Sequence, residues 1–228
     1  MLFRLLICFL MSVGAPVRAC DIALLLAVDV SGSVDAREYR VQMDGLAAGL
    51  RDGVVVEALA RGQAAVSLMQ WTGEGRQAVV VPWMRVRSIA EAETMAVAIE
   101  QAPRRWNRFS TAIGEALLTA HDVMRDAPDC QRYVVDVSGD GLSNEGPAPR
   151  QGRDMLRAAG ITVNAIVIET DDSDLTAYFW ENVITGSGAF VVTANGFEDY
   201  PERIRQKLVR EVTIQVSEHR TGITSRKP

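Results

Sequence analysis

Asp29, Ser31 and Ser33 stand two apart in Asp29-Val30-Ser31-Gly32-Ser33, and two more oxygen-bearing residues, Thr111 and Asp140, occur where later loops are expected. Carboxylate and hydroxyl oxygens are hard donors, a set that suits magnesium or a similar cation. A turning backbone brings alternate side chains of such a run together, and Gly32 gives room for the turn. Asp and Ser also cap helices for hydrogen-bonding reasons alone, so the first motif has a plain structural alternative. What separates the two readings is whether Thr111 and Asp140 arrive at the same place.

Ala23 to Val28 is an unbroken apolar run that closes on Asp29, the pattern of a strand buried on both faces of a parallel sheet. Ligands of open α/β sheets bind beyond the carboxyl ends of such strands. Asp35 to Leu50 then sets Tyr39, Met43, Leu46, Ala47 and Leu50 at helical spacing. Ala64 to Trp71 reads as a second strand, joined through Thr72-Gly73-Glu74-Gly75-Arg76 to a third at Gln77 to Val81, which Pro82 ends. So short a link makes an antiparallel hairpin and puts the third strand at the sheet edge. Ser88 to Ala102 predicts a helix with Ile89, Met95 and Ile99 inward, before the polar loop around Trp106. Thr111 to Arg125 predicts another, with Ile113, Leu117, Ala120 and Met124 inward. Tyr133 to Val137 is a fourth strand, running into Ser138-Gly139-Asp140-Gly141. A helix at Pro149 to Ala159, a strand at Ile161 to Ile168, a helix at Leu175 to Val183, a strand at Ala189 to Thr193 and a closing helix near Asp199 to Glu211 complete the pattern. Alternating strands and helices mean βαβ units. The expected fold is α/β: a doubly wound, Rossmann-like, mostly parallel six-stranded sheet with one antiparallel edge strand and helices on both faces.

Asp140, like Asp29, ends a strand, so the two carboxylates stand side by side if those strands are neighbours. Thr111 opens a helix, where free amides and side chains face the same crevice. Chance capping is a poor account of five oxygen-bearing residues converging from three loops.

With 48% hydrophobic and 23% charged residues in 228, the composition is that of one soluble globular domain and excludes disordered and collagen-like classes. Residues 1–19 carry Arg4, an apolar run from Leu5 to Val13, a Gly14/Pro16 break and a small residue at Ala19, as in a secretory signal peptide. Residues 20–216 are the expected domain and 217–228 a polar, solvated tail. No later stretch is long enough to span a bilayer. Loss of Arg4 and Arg18 with the signal takes the formal charge from −5 to −7, and an acidic domain argues against nucleic acid as a partner.

Cys8 leaves with the signal, and an exported chain left with Cys20 and Cys130 invites a disulfide. Cys20 lies nine residues before Asp29 and Cys130 ten before Asp140, so both fall at the opposite edge of adjacent strands if the first and fourth strands are parallel neighbours. Strands about 4.8 Å apart are within a disulfide's reach. Lipidation of Cys20 is the competing fate, though Arg18 departs from the small and apolar residues that signal wants.

With these residues in place the chain resembles the von Willebrand factor A family over nearly all of the mature sequence. Asp29-Val30-Ser31-Gly32-Ser33 matches the family's Asp-x-Ser-x-Ser motif, Thr111 in Thr111-Ala112-Ile113-Gly114-Glu115 the Thr of its second loop, and Asp140-Gly141 the Asp-Gly of its third. These are the positions of the family's metal-ion-dependent adhesion site. The resemblance implies Ser31, Ser33 and Thr111 as direct ligands of a magnesium ion, with manganese or calcium as alternatives, and Asp29 and Asp140 acting mostly through water. An open position would then take an Asp or Glu carboxylate of a protein partner. Val137-Ser138-Gly139-Asp140-Gly141 also looks like an export-signal-bearing bacterial branch of the family. Phe109 and Ser110 depart from the glycines that often precede the Thr in relatives, and Asp35 stands alone where some relatives build a second metal site.

Three rival chemistries are weaker. An aspartate-nucleophile phosphatase would share the Asp29/Asp140 pocket, but it wants a second Asp where Ser31 stands. A serine hydrolase wants a Gly-x-Ser-x-Gly elbow and a His, whereas Gly186-Ser187-Gly188 does not fit, His121 falls inside a predicted helix and His219 in the tail. An envelope protein whose metal serves no partner is the third. Asp136, inside the fourth strand, reads as a buried support for the site loops rather than a sixth ligand.

Overall fold

The computed structural model describes residues 20–170 and 174–221, with side chains through Thr213. The expected signal peptide and residues 222–228 of the expected tail lie outside the described residues. In chain order the elements are β1 (Cys20–Asp29), α1 (Ala36–Leu50), α2 (Gly53–Arg61), β2 (Ala65–Trp71), β3 (Gln77–Arg85), α3 (Ile89–Glu100), α4 (Ile113–Arg125), β4 (Cys130–Gly139), α5 (Pro149–Ala158), β5 (Thr162–Glu169), α6 (Leu175–Asn182), β6 (Val191–Asn195) and α7 (Tyr200–Thr221). The sheet runs β3-β2-β1-β4-β5-β6, parallel throughout except for the edge pair β2/β3. This is the doubly wound α/β sheet the sequence predicts.

The apolar run of β1 serves both layers because alternate side chains leave a strand on opposite faces. Leu24, Leu26 and Val28 enter a core shared with α1, α2, α3 and α7, while Leu25 and Ala27 enter a second core with α4, α5 and α6. The β1/β4 register sets Cys20 opposite Cys130 and Val28 opposite Ser138. Asp29 and Asp140 therefore leave the same sheet edge, and the Cys20–Cys130 disulfide closes the opposite one, with its Cα atoms 4.4 Å apart.

Several local expectations are corrected. Helix α2 was not expected: the β-branched Val54-Val55-Val56 run disguises it, but Asp52 caps it by accepting from the Val54 and Val55 amides, and Val55, Val56 and Leu59 are buried. Strand β3 passes Pro82 and continues to Arg85, because the proline falls in an irregular stretch between the Leu68–Val81 and Val66–Met84 pairs of an edge strand. Met95 and Ile99 are buried as expected, but Ile89 is 75% exposed. It occupies the first turn of α3, where side chains lean back past the end of the packed face. Helix α7 runs to Thr221, through the first residues of the expected tail. Trp106 packs partly against the first core, and the Arg105 guanidinium lies 5.6 Å from its ring centre.

Asp136 is buried, but its partner lies on α7 rather than in the site loops. It meets the fully buried Lys207 ammonium at 2.5 Å, and Glu211 meets the same ammonium at 2.7 Å. On β4 its side chain leaves the same face as Val134 and Ser138, toward α7, which is why it could not turn to the site.

Closing 110 residues of sequence, the disulfide should contribute about 2 to 5 kcal/mol to stability. Mass spectrometry of unreduced mature protein is expected to find the Cys20–Cys130 linked peptide, and reduction to lower the melting temperature. Two free thiols, or a lipid on Cys20, would contradict this.

Candidate metal centre

All five residues singled out in the sequence meet in the crevice beyond the carboxyl ends of β1 and β4. Asp29 ends β1 as a residue only 1% exposed, and its Oδ1 accepts the Ser31 amide at 2.7 Å. The Ser31 and Ser33 hydroxyls lie 3.0 Å apart, and Ser33 donates to Asp140 Oδ1 at 2.7 Å across 107 residues of sequence. Thr111 is buried, and its Oγ1 lies 3.9 Å from where a Cβ on Gly141 would stand, which places it beside Asp140. Asp29 Oδ2 is buried, and among the described residues no hydrogen-bond donor reaches it. Among the described residues no group of three or more His, Cys, Asp or Glu side chains gathers to hold a metal, so the donor set here leans on hydroxyls. A buried, unmet carboxylate oxygen next to a second carboxylate and three hydroxyls fits a hard divalent cation.

Three loops carry these groups, and backbone bonds lock them together. The Gly32 amide donates to Phe109 O at 2.8 Å, and a Cβ on Gly32 would stand 3.2 Å from that oxygen, so the first and second loops touch where a larger residue would crowd them. Phe109 and Ser110 replace the flexibility that glycines would give. Arg108 supplies the tight turn instead at φ +62°, a left-handed conformation costing on the order of 1 kcal/mol for such a residue. The Thr72 hydroxyl donates to Ser110 O at 3.0 Å, and Arg76 stacks 3.9 Å over the Phe109 ring.

Sequence reasoning missed the supports. Asn144 brackets Thr111, its Oδ1 accepting the Thr111 amide and its own amide donating to Thr111 O, both at 2.9 Å. Gln42, buried on α1, accepts from Ser138 Oγ at 2.8 Å and donates to Asp29 O at 3.3 Å. The only signal in the chain for Asn144 was its place four residues after Asp140, and for Gln42 a polar residue amid the buried face of α1. His121 lies beside Asp122 at 3.4 Å on α4, away from these loops, and the His219 side chain is not among those described.

A family model described as "Protein of unknown function (DUF1194)" matches residues 19–216. No curated protein matches the chain. Among solved structures, proximal thread matrix protein 1 from the mussel byssus is similar at 20% identity with a TM-score of 0.64, over 84% of this chain and 47% of that one. A second form of it, described as having a zinc-occupied MIDAS motif, gives 21% and 0.60 over 86% and 49%. The von Willebrand factor type A structure from Catenulispora acidiphila gives 19% and 0.58 over 84% and 43%. The vWF domain of the type V pili tip protein Mfa5 from Porphyromonas gingivalis gives 9% and 0.61 over 92% and 98%. The chain thus spans about half the length of the first of these, and at such identities the likeness shows the fold: that of a von Willebrand factor A domain.

Burial dominates the electrostatics of the two carboxyls. Burial, with the Asp140 charge adding to it, pushes the Asp29 carboxyl up from 3.8 to about 8, while Ser31 and, less strongly, Arg104 pull the other way. Burial also raises Asp140, against the Ser33 hydrogen bond. A carboxyl raised on folding holds a proton that the unfolded chain has already released, so stability falls as pH rises from about 4 toward 8. In chelator, Asp29 alone should cost on the order of 2 to 4 kcal/mol between pH 5 and pH 8. Thermal melts across that range should show a smaller loss for Asp29→Asn than for wild type, and added magnesium should shrink the wild-type loss. Parallel pH profiles for the two proteins in chelator would contradict this.

Proposed function

The chain belongs to the family described as "Protein of unknown function (DUF1194)", and we propose that its domain, residues 20–216, is an exported binding module that holds a divalent cation and uses it to engage an acidic group on a protein partner. The observation that carries the reading is Asp29 Oδ2, a buried carboxylate oxygen with no donor, set beside a second carboxylate and three hydroxyls. Ser31, Ser33 and Thr111 would hold the ion, with Asp29 and Asp140 acting through water. When bound, the ion supplies a Lewis-acidic position for an outside Asp or Glu. With no carboxylate in direct contact it keeps most of its charge, and that charge draws an acidic group to a domain that is itself acidic. Magnesium is the expected ion, with manganese or calcium as alternatives. The zinc-occupied motif of the similar thread matrix protein supports a divalent ion on this fold.

Export rests on residues 1–19 and is supported by the disulfide, a bond of oxidising compartments such as the periplasm or the cell exterior. Among the described residues no helix is long and apolar enough to cross a membrane. The pili tip and thread matrix proteins that share the fold support a role in protein binding. Binding rather than turnover is favoured by Asp29 itself. A phosphatase nucleophile must reach its substrate, whereas this carboxylate is buried with one oxygen held by the Ser31 amide.

Asp140→Ala and Ser33→Ala should each lower magnesium affinity by roughly 10- to 100-fold and abolish metal-dependent capture, with the fold intact because both residues sit in loops. Thr111→Ala should spare more of the metal affinity than of partner capture. Titration calorimetry with magnesium, and affinity capture from envelope extract with and without chelator, read both effects. A wild-type protein that binds no divalent ion at millimolar concentration, or that retains its partner equally in chelator, would contradict the mechanism.

A further inference from the structure

Bonded to the backbone of the loop that carries Ser31 and Ser33 is one side chain that neither motif nor spacing singled out. Arg104 Nη2 stands 3.0 Å from Val30 O, 2.8 Å from Ser31 O and 2.7 Å from Val34 O. Those carbonyls bracket the segment that carries the Ser31 and Ser33 hydroxyls. A single cationic nitrogen gathering three carbonyls imposes a curl on the chain between them, and bonds from a charged donor are about twice as strong as neutral ones.

Arg104 is itself held. Gln70, buried at the end of β2, accepts from the Arg105 amide at 2.9 Å and donates to Pro103 O at 3.1 Å, so it grips the backbone on both sides of Arg104. The same Gln70 amide donates to the Tyr39 hydroxyl at 2.9 Å, and that hydroxyl donates to Ala102 O at 2.6 Å. The guanidinium lies 5.9 Å from the Tyr39 ring centre, within the range of a cation–π contact. From the far end of the same loop, Phe109 O accepts the Gly32 amide. The second loop thus holds the first at two places, through Arg104 and through Phe109 O, and carries Thr111 beside Asp140.

We infer that Arg104 is a positioning residue, a built-in cation that curls residues 30–34 into their ligand-presenting shape before any metal arrives. This rests on the metal-binding reading of the same site. Besides the weak pull of its charge on the two carboxylates, the hydrogen bonds of Arg104 go to the loop backbone rather than to the hydroxyls or carboxylates, so that little ordering is left for metal binding to drive.

Two measurements test it on the full mature domain. Manganese titration should show at least a tenfold loss of affinity in Arg104→Met, which keeps length but neither charge nor donors. Arg104→Lys, which keeps a charged donor, should recover part of that loss. In chelator, amide hydrogen exchange at Ser31, Gly32 and Val34 should quicken at least tenfold in Arg104→Met, with the central amides of β1 and β4 unchanged. Affinity within twofold of wild type would overturn the proposal. So would unchanged exchange in the loop, or strand amides that quicken as much as the loop, which would mark general destabilisation instead. Should the wild-type protein bind no manganese, the metal-binding reading fails, and the exchange in chelator alone decides whether Arg104 shapes the loop.

Discussion

The structure turns on one electrostatic constraint: Asp29 is an acidic group carried to the end of the central strand and taken out of water beside a second carboxylate. One of its oxygens is satisfied by the Ser31 amide, and among the described residues no donor reaches the other. A buried carboxylate is tolerated when it is neutralised, paired or near a metal. Here the nearest opposite charge, Arg104, is committed to the backbone carbonyls of the loop. The hydroxyls of Ser31, Ser33 and Thr111 are neutral, so they can surround a cation without cancelling its charge. The cost of burying Asp29 is therefore the same feature that makes the crevice attractive to a divalent ion.

The rest of the fold holds that carboxylate in place. The β1/β4 register puts the disulfide at one edge and the two aspartates at the other, so one strand pair sets both. Gln42 reaches from α1 to the Asp29 carbonyl and the Ser138 hydroxyl, tying the floor of the site to the first layer of helices. On the other face, a Cβ on Gly114 would stand 1.9 Å from Pro147 O, so the third loop and the first turn of α4 meet backbone to backbone. That fit is available only to glycine. The buried Asp136, Lys207 and Glu211 group is a separate matter: it joins β4 to α7 and faces away from the crevice.

The mostly parallel sheet, the antiparallel edge, the disulfide and the convergence of Asp29, Ser31, Ser33, Thr111 and Asp140 were legible because each leaves a mark in local sequence: an apolar run, a short link, a matched spacing or a strand-ending acid; the full strand order β3-β2-β1-β4-β5-β6 was not. What stayed hidden depends on tertiary context. The valines of α2 favour strands, and only Asp52 and packing against α3 and α7 make them helical. Pro82 ends a strand in isolation but not at a bulged edge. Arg104 and Asn144 look like ordinary loop residues until the loops they brace are seen together, since their bonding partners lie 70 and 33 residues away at the nearest. Asp136 was read correctly as buried, but its partner could not be guessed from a helix 71 residues downstream.

On the function proposed above, the domain receives acidic groups only once a cation completes the crevice. Diffraction from crystals grown with manganese, measured at a wavelength where the metal scatters anomalously, tests this most directly. The account predicts one strong anomalous peak in the crevice, within about 2.5 Å of the Ser31, Ser33 and Thr111 hydroxyls. A crevice without a peak, or manganese found only at exposed carboxylates elsewhere on the surface, would contradict it.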